Sequence, residues 1–142
     1  MDINKQQRLA SDPFASVWVA ASAGSGKTKV LTDRVLNLLL INGRPEKILC
    51  LTYTKAAAAE MSNRVNKILK QWAVCSETEL VKSLENLTGE VPDSDYLTRA
   101  RRLFASVLET PGGMKIMTIH GFCQTVLNRF PLEAGVPPDF DI

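Results

Sequence analysis

Residues 17–30 read VWVAASAGSGKTKV, and this stretch decides how the rest of the chain is read. Apolar and β-branched residues run into a loop of glycine, serine and alanine, the loop ends in Lys27-Thr28, and a helical pattern follows. Small residues in such a loop let backbone N–H groups converge on phosphate oxygens, and the following helix aims the positive end of its dipole at them. Residues 21–28, ASAGSGKT, fit the P-loop pattern except that Ala21 stands where the first glycine is usual. In that pattern Lys27 reaches the β and γ phosphates and the Thr28 hydroxyl meets Mg²⁺, so catalytic roles fall to these two. A flexible Gly/Ser turn with a surface lysine is the competing reading. The strand expected before the loop and the helix expected after it favour the P-loop.

Working outward, a strand is expected over residues 17–22 and a helix over 28–41, where Val30, Leu31, Val35, Leu38 and Leu39 recur at helical spacing. Asn42-Gly43 and Pro45 end it. A short helix over 4–10 precedes, stopped by Asp12-Pro13. ILCLT, residues 48–52, reads as a second buried strand, and 55–72 as a helix with Met61, Val65, Ile68, Leu69 and Trp72 on one stripe. Alternation of this kind implies a parallel sheet with crossover helices. Two more polar helices are expected over 76–87 and 95–109, capped by Ser76 and Asp95. They read as an insertion between two α/β units. After the breaker Pro111-Gly112-Gly113, a third strand is expected over 115–119 and a helix over 121–130, followed by a proline-rich tail that reads as a linker.

Composition sets the bounds. The chain has 142 residues, 45% of them hydrophobic, enough for one globular domain with a core. The start lacks the pattern of a signal peptide and no apolar run is long enough to span a bilayer, so a cytoplasmic protein without membrane contact is expected. Cys50, Cys75 and Cys123 are widely spaced, without a CxxC, and support neither a disulfide framework nor a zinc site. A net charge of +2 does not by itself mark a nucleic-acid binder. Local clusters, among them Arg99, Arg101 and Arg102, read either as solvated helix surface or as contacts.

Hydrolysis of a nucleotide also needs an acidic group, usually at the end of a buried strand. Here the strands lead into Tyr53-Thr54-Lys55 and His120-Gly121 instead. An aromatic ring, hydroxyls, a histidine and a lysine suit a single nucleic-acid strand, held by stacking and by donors to its backbone. In an open parallel sheet, ligands sit beyond the carboxyl ends of the strands, so these groups and the P-loop are expected to share one edge. Taken singly, Tyr53 also fits a core-edge aromatic and His120 a structural hydrogen-bonder at a helix start.

With these residues in view, the chain resembles the N-terminal part of the first RecA-like domain of superfamily 1 DNA helicases of the UvrD/Rep type. The likeness is greatest to the AddA/RecB-like double-strand-break repair helicase-nucleases. Four segments carry it in the family's order: QQRLASDP within a Q motif at 4–13, ASAGSGKT at 21–28, LTYTKAAAAEMSNRV as motif Ia at 51–65, and TIHGFCQTVL at 118–127. The helical pair at 76–109 lies where AddA/RecB relatives carry extra sequence, which favours that branch. The fold implied is an α/β RecA-like P-loop NTPase sheet, the N-terminal part of helicase domain 1A, with a helical insertion.

By that resemblance Gln7, in the Gln-x-x-Ala spacing of residues 7–10, reads the adenine, with Gln6 as the alternative; Ala23, Gly24, Ser25, Gly26, Lys27 and Thr28 wrap the phosphates of ATP with Mg²⁺, and Lys29 is a supporting contact. Tyr53, Thr54, Thr118 and His120 lie along single-stranded DNA, with Tyr53 as the stacking aromatic. Relatives continue into an acidic motif II, a second RecA-like domain that supplies arginines, and a nuclease domain, and an AddB-like protein is an implied partner. None of these is in the 142 residues, which are therefore expected to bind nucleotide and touch a strand without appreciable turnover. Two rival readings stay open. One is a small P-loop kinase using Arg99, Arg101 and Arg102 as a lid. The other is a non-catalytic remnant or interaction module whose P-loop is unused.

Overall fold

In a computed structural model, the structure describes residues 3–20, 22, 24, 26–42 and 44–137. In chain order these form α1 (Ile3–Ala10), α2 (Lys27–Asn42), a 3₁₀ turn (Pro45–Lys47), β1 (Leu49–Thr52), α3 (Lys55–Val74), α4 (Glu77–Thr88), α5 (Ser94–Glu109), β2 (Lys115–Thr118), α6 (Ile119–Arg129) and α7 (Pro131–Ala134). β1 and β2 pair in parallel, with Leu49 opposite Lys115 and Thr52 opposite Thr118. The described residues are α-rich with one short parallel sheet.

Helix boundaries follow from local chemistry. Thr54 caps α3 by accepting from the Ala57 N–H at 3.1 Å. Ser76 and Glu79 form a capping box at α4: the Glu79 N–H donates to Ser76 Oγ, and the Ser76 N–H donates to Glu79 Oε2 at 2.9 Å. The cap of α5 is Asp93, not the expected Asp95. Asp93 is still extended and its carboxylate accepts from the Tyr96 N–H at 2.8 Å, which puts Asp95 inside the first turn.

The two Ser76 donors, side chain first and backbone second, hold the Glu79 carboxyl below its ordinary value. A depressed folded pKa contributes stability above the unfolded value and loses it as pH falls through the folded one. The Glu79→Gln chain is therefore expected to show a shallower fall in melting temperature than the parent between about pH 6 and about pH 3. Parallel acid melts of the two chains check this, and identical slopes would contradict it.

The core is helical. Leu36, Leu39 and Leu40 of α2, Val65, Leu69 and Trp72 of α3, Leu80 and Leu84 of α4, and Ala100 and Leu103 of α5 share one buried cluster. The pair α4–α5 is thus no appendage, since its apolar stripe closes the interior that α2 and α3 open. Two of the clustered arginines serve the same packing. Arg99 Nη1 donates to the Leu40 carbonyl at 2.8 Å and Arg101 Nη1 to the Trp72 carbonyl at 3.0 Å, satisfying the last turns of α2 and α3. Cations are favoured at helix C-termini, and these two are held there instead of forming a lid.

Among the described residues the strand expected over residues 17–22 is not found. Residues 17–20 join no ladder, and the Trp18 side chain is 92% exposed. Apolar periodicity identifies a segment that can be buried on both faces, yet a strand also needs neighbours for its N–H and C=O groups. Among the described residues β1 and β2 pair only with each other. The preceding segment is drawn instead to α2, where Arg34 donates to the carbonyls of Asp12 at 2.6 Å and Ala15 at 2.5 Å. Leu49 and Leu51 on β1 and Leu31 on α2 are exposed as well.

Candidate functional site

Two groups of residues come together at different places in the fold. The first surrounds the start of α2. Gly24 and Gly26 have φ of 80° and 87°, a region L side chains rarely adopt, so glycine suits both positions. The Gly26 carbonyl accepts from the Val30 N–H at 3.1 Å and starts the helix. Lys27 is the first residue of α2, and its Nζ donates to the Ser22 carbonyl at 2.8 Å. Thr28 is exposed in the same turn. Ala23 and Ser25 lie outside the described residues.

Gln7 reaches this loop from α1. A Cβ built on Gly26 would stand 3.3 Å from Gln7 Nε2, and Lys29 Nζ donates to Gln7 Oε1 at 3.3 Å. Lys29 also pairs with Asp33 at 2.7 Å, one turn along α2. The Gln7 amide is thereby set between the glycine loop and the first turn of α2, across 22 positions of sequence. Asn37 and Arg34 hold the end of α1 in place. Asn37 Nδ2 donates to the carbonyl of buried Ser11 at 3.2 Å, and Arg34 takes the Asp12 carbonyl. Sequence reasoning does not identify Asp33, Arg34 and Asn37 as members of this arrangement. The Lys29–Asp33 spacing of four is the one signal that could have found any of them.

The second group sits at the carboxyl edge of the sheet. Because Thr52 and Thr118 are register partners, Tyr53-Thr54 and Ile119-His120 leave the sheet side by side. Each strand turns directly into a helix capped by a threonine, Thr54 for α3 and Thr118 for α6, the latter accepting from the Gly121 N–H at 3.1 Å. A hydroxyl that accepts at a cap also carries a donor, so capping and strand contact are compatible roles. The Tyr53 side chain is 85% exposed and His120 is exposed in the first turn of α6. Tyr53 is no core-edge aromatic. The expected common edge with the P-loop is not seen as a shared sheet, since residues 17–20 stand outside the ladder.

The described residues thus give an α-rich unit with a short parallel β pair, a helix that starts after Gly26, and the Gln7 amide beside that glycine. The chain belongs to the family described as UvrD/REP helicase N-terminal domain, whose model matches residues 3–142. Over 130 residues it is 35% identical to the AddA subunit of the ATP-dependent helicase/nuclease of Listeria monocytogenes serotype 4a, covering 88% of this chain and 9% of that protein. The AddA proteins of Lactobacillus helveticus and Ligilactobacillus salivarius are 33% identical over 138 residues and 31% over 135, covering 97% and 95% of this chain and 10% and 9% of theirs. The chain thus spans about a tenth of the length of the curated relatives it matches. The resemblance read from four short segments is borne out, including its AddA branch. Among the described residues no helix is long and apolar enough to cross a membrane.

Proposed function

We propose that the chain is the N-terminal ATP-binding and single-stranded-DNA-contacting part of an ATP-dependent DNA helicase of the AddA/UvrD type, acting in recombinational DNA repair and built on a RecA-like domain 1A. The observation that carries this reading is the Gln7 amide held against Gly26 and Lys29. A polar side chain that can present both a donor and an acceptor to a base edge stands beside a loop suited to phosphates. A bare Gly/Ser turn gives no reason for that convergence.

In this reading Ala23, Gly24, Ser25 and Gly26 cradle the phosphates with their backbone, Lys27 exchanges its contact with the Ser22 carbonyl for phosphate oxygens, and Thr28 offers its hydroxyl to Mg²⁺. The bound ion offsets phosphate charge. The strand of DNA follows the carboxyl edge of the sheet, with a base stacked on Tyr53 and donors from Thr54, Thr118 and His120. No carboxylate stands at either strand end, and these residues alone are expected to bind ATP without appreciable turnover. The parent protein would add the second RecA-like domain, the nuclease domain and an AddB-like partner.

Base stacking on an aromatic is worth ~1–3 kcal/mol, so Tyr53→Ala is expected to weaken binding of an oligo-dT about tenfold, and His120→Ala by less. Fluorescence anisotropy of a labelled oligonucleotide checks this. Unchanged affinity in both variants, in a chain that binds the oligonucleotide, would remove the strand-contact reading.

A further inference from the structure

The helical pair α4–α5 meets helix α1, which carries Gln7, through the Arg8 side chain. At the end of α4, Gly89 takes φ of 85°, and its N–H donates to the Glu85 carbonyl at 2.8 Å. A Cβ built there would meet Arg8 Nη1 at 2.6 Å and Arg8 Cδ at 3.3 Å, so the Arg8 side chain lies across the bare face of this glycine. A guanidinium is favoured at a helix C-terminus, where the last carbonyls carry partial negative charge. Arg8 is the neighbour of Gln7 on α1, and a cleft of about 320 Å³ brings Gln7, Arg8, Lys29 and Asp33 together with Asn86 and Leu87 of α4. Helix α1 therefore has two moorings. One is on α2, where Asn37 and Arg34 hold the carbonyls of Ser11 and Asp12 just after α1. The other, Arg8 on Gly89, belongs to the pair at 76–109.

We propose that Arg8 is a positioning residue: seated on Gly89 at the end of α4, it sets the reach of Gln7 toward Gly26 and Lys29, and so makes base recognition depend on the α4–α5 pair. This deepens the nucleotide reading above and rests on it. The consequence is selective, because α4 acts on the base-reading amide and leaves the phosphate loop alone.

The test compares ATP with inorganic tripolyphosphate, which has phosphates and no base, by isothermal titration on the 142-residue chain. Arg8→Ala frees the mooring, and Gly89→Ala displaces the guanidinium while Arg8 is kept. Each is expected to weaken ATP binding about fivefold, the worth of one misplaced hydrogen bond, with tripolyphosphate binding unchanged. Arg8→Lys, which keeps charge and reach, is expected to restore most of the ATP affinity. In an Arg8→Ala background Gly89→Ala is expected to cost no further ATP affinity, since the group it pushes is gone, while the left-handed backbone at Gly89 lowers the melting temperature in either background.

ATP affinity unchanged in Arg8→Ala and Gly89→Ala, while Gln7→Ala lowers it, would overturn the proposal and leave the nucleotide reading standing. Equal losses for ATP and tripolyphosphate would also overturn it, as Arg8 would then act on phosphates or on stability. Failure of the parent chain to bind either ligand would overturn the nucleotide reading, and this proposal with it.

Discussion

Lys27→Ala is expected to lower the affinity of the chain for ATP about fiftyfold, the scale of a lost charge-assisted contact to phosphate. Lys27 is exposed, on the first residue of α2, and its Nζ donates to the Ser22 carbonyl, within the same glycine loop. In the proposed reading, phosphate oxygens replace that carbonyl as the partner of the ammonium. Removing an exposed side chain at a helix start is not expected to disturb the core, so melting temperature should stay near that of the parent. A fluorescent-nucleotide titration beside a thermal melt separates the two quantities. Unchanged affinity would mean that the loop does not hold phosphates.

The largest effect on stability is expected at Trp72. Its ring is 2% exposed in the middle of the helical core, and its Nε1–H donates to Ser83 Oγ at 2.8 Å, joining α3 to α4. Its carbonyl also takes the guanidinium of Arg101 from α5. Truncating a buried aromatic to alanine costs ~3–5 kcal/mol, which is a large part of the ~5–15 kcal/mol that holds a domain together. Trp72→Ala is therefore expected to abolish a cooperative urea transition, and Trp72→Phe, which strands the Ser83 hydroxyl but keeps most of the apolar volume, to move its midpoint by much less. Circular dichroism during denaturation checks both. A midpoint unmoved by Trp72→Ala would place the core elsewhere.

What is legible in the sequence is what local chemistry controls. The stripe of Met61, Val65, Leu69 and Trp72 announces the buried face of α3, and Ser76 announces the start of α4, because both depend on residues within a turn or two. Asp93 and Asp95 are harder to separate, because two carboxylates two residues apart fit a cap equally well until the backbone shows which is extended. The strand expected over 17–22 fails for another reason. Its apolar residues are real, but a ladder depends on neighbours that no window of sequence contains.

The site divides in the same way. Motif spacing points to Lys27, Thr28, Tyr53 and His120, and Thr54 and Thr118 turn out to cap helices as well. The meeting of Gln7 with Gly26 and Lys29 is implied only by the motif resemblance, and that of Arg8 with Gly89 is tertiary and leaves no local trace. The arginines near residue 100 show the converse. As a cluster they suggest a ligand, whereas Arg99 and Arg101 are occupied with helix ends 59 and 29 positions away.

The most direct measurement is fluorescent-nucleotide binding and ATP hydrolysis on the same samples of the chain, with and without single-stranded DNA, beside Lys27→Ala. Binding that depends on Lys27, without turnover in either condition, is the expected result for a nucleotide- and strand-contacting part of a larger motor. Absence of Lys27-dependent binding would contradict the nucleotide site, and Lys27-dependent turnover stimulated by DNA would contradict the view that these residues need an acidic group from elsewhere.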